Sequence, residues 1–353
     1  KALYAKKAYD QIKDAKDTIR DINKKGIKSA ISIDVSLGSS KSESHSTSMD
    51  IEAKGSSISA AKDVSITANK TDINIKGSTV AGNNITLDAK RDINLTAAQN
   101  SNKTDSTASS ASSSIGASIG LAGGVSYNAR LEKNSSATRE NTTAYTNTEV
   151  TAGDTLKTNS GEDTTITGAK ASGGKVEMNV GRDLAIKSLQ DADDYNEHNS
   201  SSGIAIATGG TNASADKGKI DSDYQSTADQ SGIYAGKDGF DITVGKNTDL
   251  KGAVIDSDAV PDKNKLSTDT LTYSDIDNKA SYDSKNTGVN YNTGKDVKTK
   301  DKGLTPDIGV EAKGNAAGTT KSAIAPGTID IRSNPGQDIS GLSRDTKDAL
   351  NKL

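Results

Sequence analysis

Asp72-Ile73-Asn74-Ile75, Asn84-Ile85-Thr86-Leu87 and Asp92-Ile93-Asn94-Leu95 decide how this chain folds. In each, two aliphatic residues alternate with polar ones, the pattern of a short strand with one face buried. Ile73 to Ile85 is 12 residues and Ile85 to Ile93 is 8, so the pattern closes on itself every 20 residues, with Asn, Asp, Gly and Lys at the turns between. Asp63-Val64-Ser65-Ile66 extends it upstream. A larger repeat lies above this one, because Ile73/Ile75, Ile85/Leu87 and Ile93/Leu95 return as Thr164/Ile166, Val176/Met178 and Leu184/Ile186, each displaced by 91 residues. The turn returns too, Lys76-Gly77-Ser78 as Thr167-Gly168-Ala169. A third copy runs through Gly239-Phe240-Asp241-Ile242 and Leu250-Lys251-Gly252-Ala253, and a fourth, incomplete one through Ser322-Ala323-Ile324 and Thr328-Ile329-Asp330-Ile331.

Stacked rungs reconcile this pattern with an unusual composition. Of 353 residues only 31% are hydrophobic, with one Phe and no Trp, too few for a conventional core of that size. Composition alone would equally suit disorder. Periodicity favours order, since each rung needs only a few inward Ile, Val or Leu when its neighbours, about 4.8 Å away, complete a continuous apolar column. Asn and Asp at equivalent turns are expected to stack into hydrogen-bonded ladders. The predicted fold is all-β: a right-handed parallel β-helix, its hand taken from the crossover rule for parallel strands.

Lys plus Arg (44) nearly balances Asp plus Glu (47), so no long-range field draws in nucleic acid. With no cysteine there is no disulfide, thiol chemistry or Cys-based zinc site. The first ten residues lack the apolar segment of a signal peptide, which reads as an interior piece of a longer protein. Residues 1–29 differ from the rest: Ala5, Ala8, Ile12, Ala15, Ile19 and Ile22 recur at threes and fours, predicting an amphipathic helix.

Between the rung blocks lie segments in which small and apolar residues alternate, and they predict inserted β-hairpins near 31–45, 112–131, 200–210 and 285–312. Ile115, Ile119 and Leu121 on one arm and Val125 and Tyr127 on the other flank a Gly123-Gly124 turn, and approach the nine to eleven residues of a membrane-crossing strand. They are the candidate membrane-engaging residues. In the soluble chain each hairpin is expected to fold back and bury its apolar face on the solenoid. Ser-rich runs such as 106–114 have no packing pattern and are expected to be mobile loops.

Catalytic, cofactor and metal sites are not expected. Gly116-Ala117-Ser118-Ile119-Gly120 has nucleophile-elbow spacing, with His198 as a conceivable base, but the motif lies in an alternating strand rather than at a strand-to-helix turn. Asp191, Asp193, Asp194 and Glu197 fail calcium-loop spacing, since the sixth and twelfth positions counted from Asp191 are Asn196 and Ser202. Asp221 with Asp223, and Asp256 with Asp258, read as solvated turns, and His45 and His198 as loop residues.

Gly82 to Leu87 and Arg91 to Ala98 resemble the haemagglutinin repeats of two-partner-secreted filamentous haemagglutinin-type exoproteins. Residues 229–236, 247–255 and 271–276 resemble the later repeat region of CdiA-type contact-dependent growth inhibition effectors, and 322–329 with 337–346 that family's boundary with the pretoxin segment. The small Ala positions of helix 1–29 suggest that it packs on a neighbour, capping or leading into the solenoid, and the resemblance implies a haemagglutinin-repeat β-helix over 30–320 and a last partial repeat with the start of the pretoxin linker over 321–353. It also implies a non-enzymatic stalk of a secreted protein of a Gram-negative bacterium, present in the periplasm or at the cell surface and then at the target-cell outer membrane. The implied partners are an outer-membrane transporter, the target outer membrane and a C-terminal toxin in cis. An adhesin or haemolysin segment of the same secretion system is the alternative.

Overall fold

In a computed structural model of the protein, residues 32–120, 124–295, 297–309, 311–350 and 353 are described. The helix expected over 1–29 lies outside them. Two 3-10 turns, Pro261–Lys263 and Thr299–Asp301, are the only helical elements among the described residues. Everything else regular is strand, and the central part is a parallel β-helix.

The 20-residue closure is literal. Ile73 pairs in parallel with Ile93, Ile93 with Thr164, Thr164 with Leu184, Leu184 with Thr248 and Thr248 with Leu271, one residue from each successive coil. A second column stacks Val64, Ile85, Leu156, Val176 and Phe240, and a third stacks Ile58, Val80, Val150, Ala171, Ile233, Ile255 and Ile324. Seven coils thus begin at Ser57, Thr79, Thr148, Ala169, Gly232, Val254 and Ala323, the last lacking a strand in the first column. Ile85, Leu87, Ile93, Leu95, Leu156 and Ile166 are fully buried, while intervening side chains such as Thr86 and Lys157 face out. The residues displaced by 91 are therefore two coils apart.

A ladder of carboxylates runs down one corner. The Asp92 N–H donates to Asp72 Oδ1 at 3.3 Å, Asp163 N–H to Asp92 Oδ1 at 3.0 Å, Asp183 N–H to Asp163 Oδ1 at 3.1 Å and Asn247 N–H to Asp183 Oδ1 at 3.0 Å. Every second rung adds an arginine: Arg91 grips Asp72 at 2.9 and 3.0 Å, and Arg182 grips Asp163 at 2.7 and 2.6 Å. These guanidinium bonds, aided by the backbone N–H, hold both carboxyls below the ordinary range of an aspartate.

The segments between coils follow one rule. From odd coils the chain turns straight into the next coil through Gly77, Gly168 or Gly252, each at a positive φ of 54–59°. A Cβ on Gly168 would stand 2.5 Å from the Ala97 Cβ, so the turn needs glycine for space as well as for conformation. From even coils the equivalent positions are Ala97, Ser188 and Asp275, and there the chain leaves the solenoid as a long arm. The arms are Ala98–Gly120 with Val125–Thr146, Asp191–Ala207 with Gly210–Ser226, and Ile276–Asn292 with a return broken into Gly303–Ile308 and Ala312–Thr320. Together with Ser32–Ile51, which leads into the first coil, they form one eight-stranded antiparallel sheet.

Two expectations change here. Residues 31–45 do not form a hairpin, because 32–51 is a single edge strand paired along its whole length with 101–120. Ser106–Ser114 is not a loop but the middle of a strand hydrogen-bonded on both sides. Its backbone is satisfied by register imposed from the solenoid, which a side-chain pattern does not report.

Replacing Ile85 by Asp should cost about 4 kcal/mol or more, since it puts an unpaired carboxylate in the apolar column, whereas Thr86→Asp should stay within about 0.5 kcal/mol. Urea denaturation checks both. The aspartate ladder has a pH signature: a lowered folded pKa contributes stability above the ordinary carboxylate pKa of about 3.9 that is lost as pH falls through the lowered value. Asp163→Asn should accordingly be weaker than the parent at neutral pH and lose less stability between about pH 5 and pH 2, a comparison that thermal melts across that range will make.

Candidate functional site

Directly opposed residues in an antiparallel sheet share a face, so the arm register sorts every side chain. One row runs Leu37, Ile115, Ala129, Ile206, and the next toward the solenoid runs Ser39, Ser113, Leu131, Ile204, Ala213, Tyr291, Leu304. Beyond Leu37, farther from the solenoid, stand Val35, Ala117 and Tyr127, then Ile119 and Val125. All of these lie on one face. The opposite face carries rows such as Ser40, Ser112, Glu132, Gly203, Ser214, Asn290, Thr305. The outer half of the arm sheet is thus apolar on one side and small and polar on the other.

Four of the five candidate membrane residues, Ile115, Ile119, Val125 and Tyr127, belong to this face, and Leu121 lies outside the described residues. They do not fold back on the solenoid. Ile115 is 70% exposed and Tyr127 64%, and their neighbours are other arms rather than rungs. The correction has a simple cause: the arms that carry these residues, 98–120 and 125–146, are already paired on both sides by other arms, which holds them out in one layer. Sequence reading also missed Val289, Tyr291 and Leu304, although Val289-Asn290-Tyr291-Asn292 alternates as clearly as the segments it found.

The chemical candidates dissolve in this register. Ser118 lies on the polar face against Ser126, while His198 lies on the apolar-patterned face in the row of Ala137, so nucleophile and base are on opposite sides of the sheet. His45 shares that row with His198 but is separated from it by Thr107 and Ala137. Asp193 accepts from Thr142, Asp194 from Asn196, and Glu197 from Tyr195 and Asn199, splitting the acidic cluster between faces. Among the described residues no three His, Cys, Asp or Glu are placed to hold a metal ion.

Asp256 departs from its reading as a solvated turn. It is 8% exposed, and it accepts from Thr346 and, at 2.9 Å, from Lys347, which also reaches Asp258 at 3.1 Å. Burial pushes this carboxyl up, but the Thr346 and Lys347 bonds outweigh it and hold the group below its ordinary value. Arg344 donates to the carbonyls of Ala325 and Gly327, and Leu342 and Ala349 are buried, so residues 332–350 strap back over the last coils.

A parallel solenoid of 20-residue coils that sends out paired β-arms defines a class, and residues 35–203 match the hemagglutinin repeat family. The chain belongs to the haemagglutinin-repeat proteins, and within them it is a repeat region of the CdiA type. It is 40% identical to the toxin CdiA of Escherichia coli over 277 residues, which is 72% of this chain and 9% of that protein. It is 40% identical over 273 residues to a tRNA nuclease CdiA of Yersinia mollaretii, 73% of this chain and 9% of that protein. Over 263 residues it is 40% identical to a deoxyribonuclease CdiA of Yersinia pseudotuberculosis, 71% of this chain and 24% of that protein. The chain therefore spans between about a tenth and a quarter of the length of these relatives. No solved structure matches it significantly.

Replacing Asp256 by Ala should free the strap, leaving Lys347 without its buried partner. Limited trypsin digestion should then cut after Arg344 and Lys347 several times faster with the solenoid intact, and an unchanged rate would show that the apolar contacts of Leu342 and Ala349 suffice.

Proposed function

We propose that this chain is a non-enzymatic stalk segment of a secreted contact-dependent growth inhibition effector, and that its arm sheet helps carry a C-terminal toxin across the outer membrane of a target cell. The nuclease activities named for the relatives would then reside elsewhere in those longer proteins. Export would use a two-partner outer-membrane transporter, and the segment would act first at the producing cell's surface and then at the target membrane.

The single observation that supports the membrane role is the one-sided apolar outer half of the arm sheet. Soluble proteins rarely expose a contiguous apolar surface of this extent without a partner for it. Its alternation of apolar residues on one side with Ser, Gly and Asn on the other is the pattern of membrane β-structure. An open sheet cannot cross hydrocarbon, since its edge strands would leave backbone groups unpaired, so crossing requires the arms to close on themselves. The solenoid below would serve as the rigid spacer.

Ser112 and Glu132 face each other across the central hairpin, so excising 113–131 shortens both arms by matching amounts and preserves the register below. In the full-length effector this excision should abolish killing while leaving receptor binding intact. Undiminished killing would overturn the membrane role of the arms.

A further inference from the structure

The apolar outer half of the sheet is bordered, on the same face and on the solenoid side, by a band of lysines. Lys41 and Lys133 share a row with Ala111 and Val289. Lys217 stands one row nearer the solenoid, and Lys219 and Lys285 pair directly in the row after that. All five are exposed. Lys41, Lys219 and Lys285 meet Glu43, Asp221 and Glu311, but Lys133 and Lys217 have no carboxylate within 4.0 Å among the described residues. The opposite face of the outer half has the reverse balance, with Asp34, Glu132, Asp216 and Asp307 against Arg130.

An apolar surface rimmed on the solenoid side by flexible cations that can bury their stems and keep their charge in the headgroups fits an interface rather than a protein groove. The polar face and the open edge strands cannot enter hydrocarbon, which orients the sheet flat, apolar face down, with its acidic face toward water.

We propose that this face docks flat on an anionic lipid surface, with Lys133 and Lys217 on headgroup phosphates beside the inserted apolar rows. The inference rests on the membrane role proposed above and adds to it a lipid class and an orientation: the contact made before the arms rearrange is a charge-selective, interfacial one. Each uncompensated lysine near an anionic surface strengthens binding by about fivefold.

The test is flotation of the intact chain with two kinds of vesicle, phosphatidylcholine alone and phosphatidylcholine mixed with phosphatidylglycerol, with inorganic phosphate added as a competitor. Binding should be at least tenfold stronger to the anionic vesicles, fall with salt and persist in millimolar inorganic phosphate. A Lys133→Gln, Lys217→Gln variant, both changes being on exposed side chains, should keep its thermal midpoint and lose about twenty-five-fold of that binding. Leu131→Ser with Ile204→Ser should weaken binding to both vesicles. Equal binding to both vesicles, or an unaffected lysine variant, would overturn the lipid selectivity while leaving the membrane role in place. Displacement by inorganic phosphate would overturn the membrane surface as the ligand, and no binding to either vesicle would sink the membrane role as well.

Discussion

Hydrogen-bonded strands stand about 4.8 Å apart whether they are parallel or antiparallel, and the whole molecule depends on that equality. Each coil of the solenoid rises by one strand spacing. Each arm widens the arm sheet by the same amount. Because the second, fourth and sixth coils each launch an arm and the following coil receives its return, the two structures grow in step with one arm per coil. A hairpin has two arms and so matches two coils, which is why the larger repeat spans two coils plus a hairpin. Glycine at alternate corners enforces the alternation, since Gly77, Gly168 and Gly252 permit the direct turn that the intervening corners do not make.

The two layers are stabilised differently. In the solenoid, inward Ile, Leu and Val form one continuous cluster from Val64 to Leu342, and the hydrophobic effect supplies most of the stability. The arms bury little, and most of their side chains are Ser, Thr, Asn or charged. Long hairpins of that composition are marginal alone, and here they are anchored at the base by the coils and zipped to one another by backbone bonds. Local opening should be easiest far from the solenoid, where the apolar face lies. The apolar face is thus carried by the least tightly held part of the molecule, above the most tightly held.

The strap at the C-terminal end shows the same economy. The last coil is incomplete, and residues 332–350 cover it with Leu342 and Ala349, with Arg344 on two carbonyls that lack strand partners and with Lys347 on Asp256. Such a cover protects an edge that would otherwise present open strands. The carboxylate of Asp256 is buried because a segment ninety residues away returns to it.

Much of this was legible in the residues alone. The alternation around Ile73, Ile85 and Ile93 implied inward and outward faces, and the closures at 20 and 91 residues implied stacked rungs, because a rung's inward positions recur locally and at fixed spacing. The corner glycines and the Asp ladder were visible for the same reason. Tertiary structure decided what depends on partners distant in sequence: that Ser106–Ser114 is a strand, that 32–51 is one edge strand, that Ile115 and Tyr127 stand out in solvent, and that Asp256 is buried. Backbone pairing in the arm sheet is fixed by the register of the coils beneath, and a polar strand paired on both sides carries no side-chain signal of it. Which face of that sheet collects the apolar residues follows only when seven arms are laid side by side.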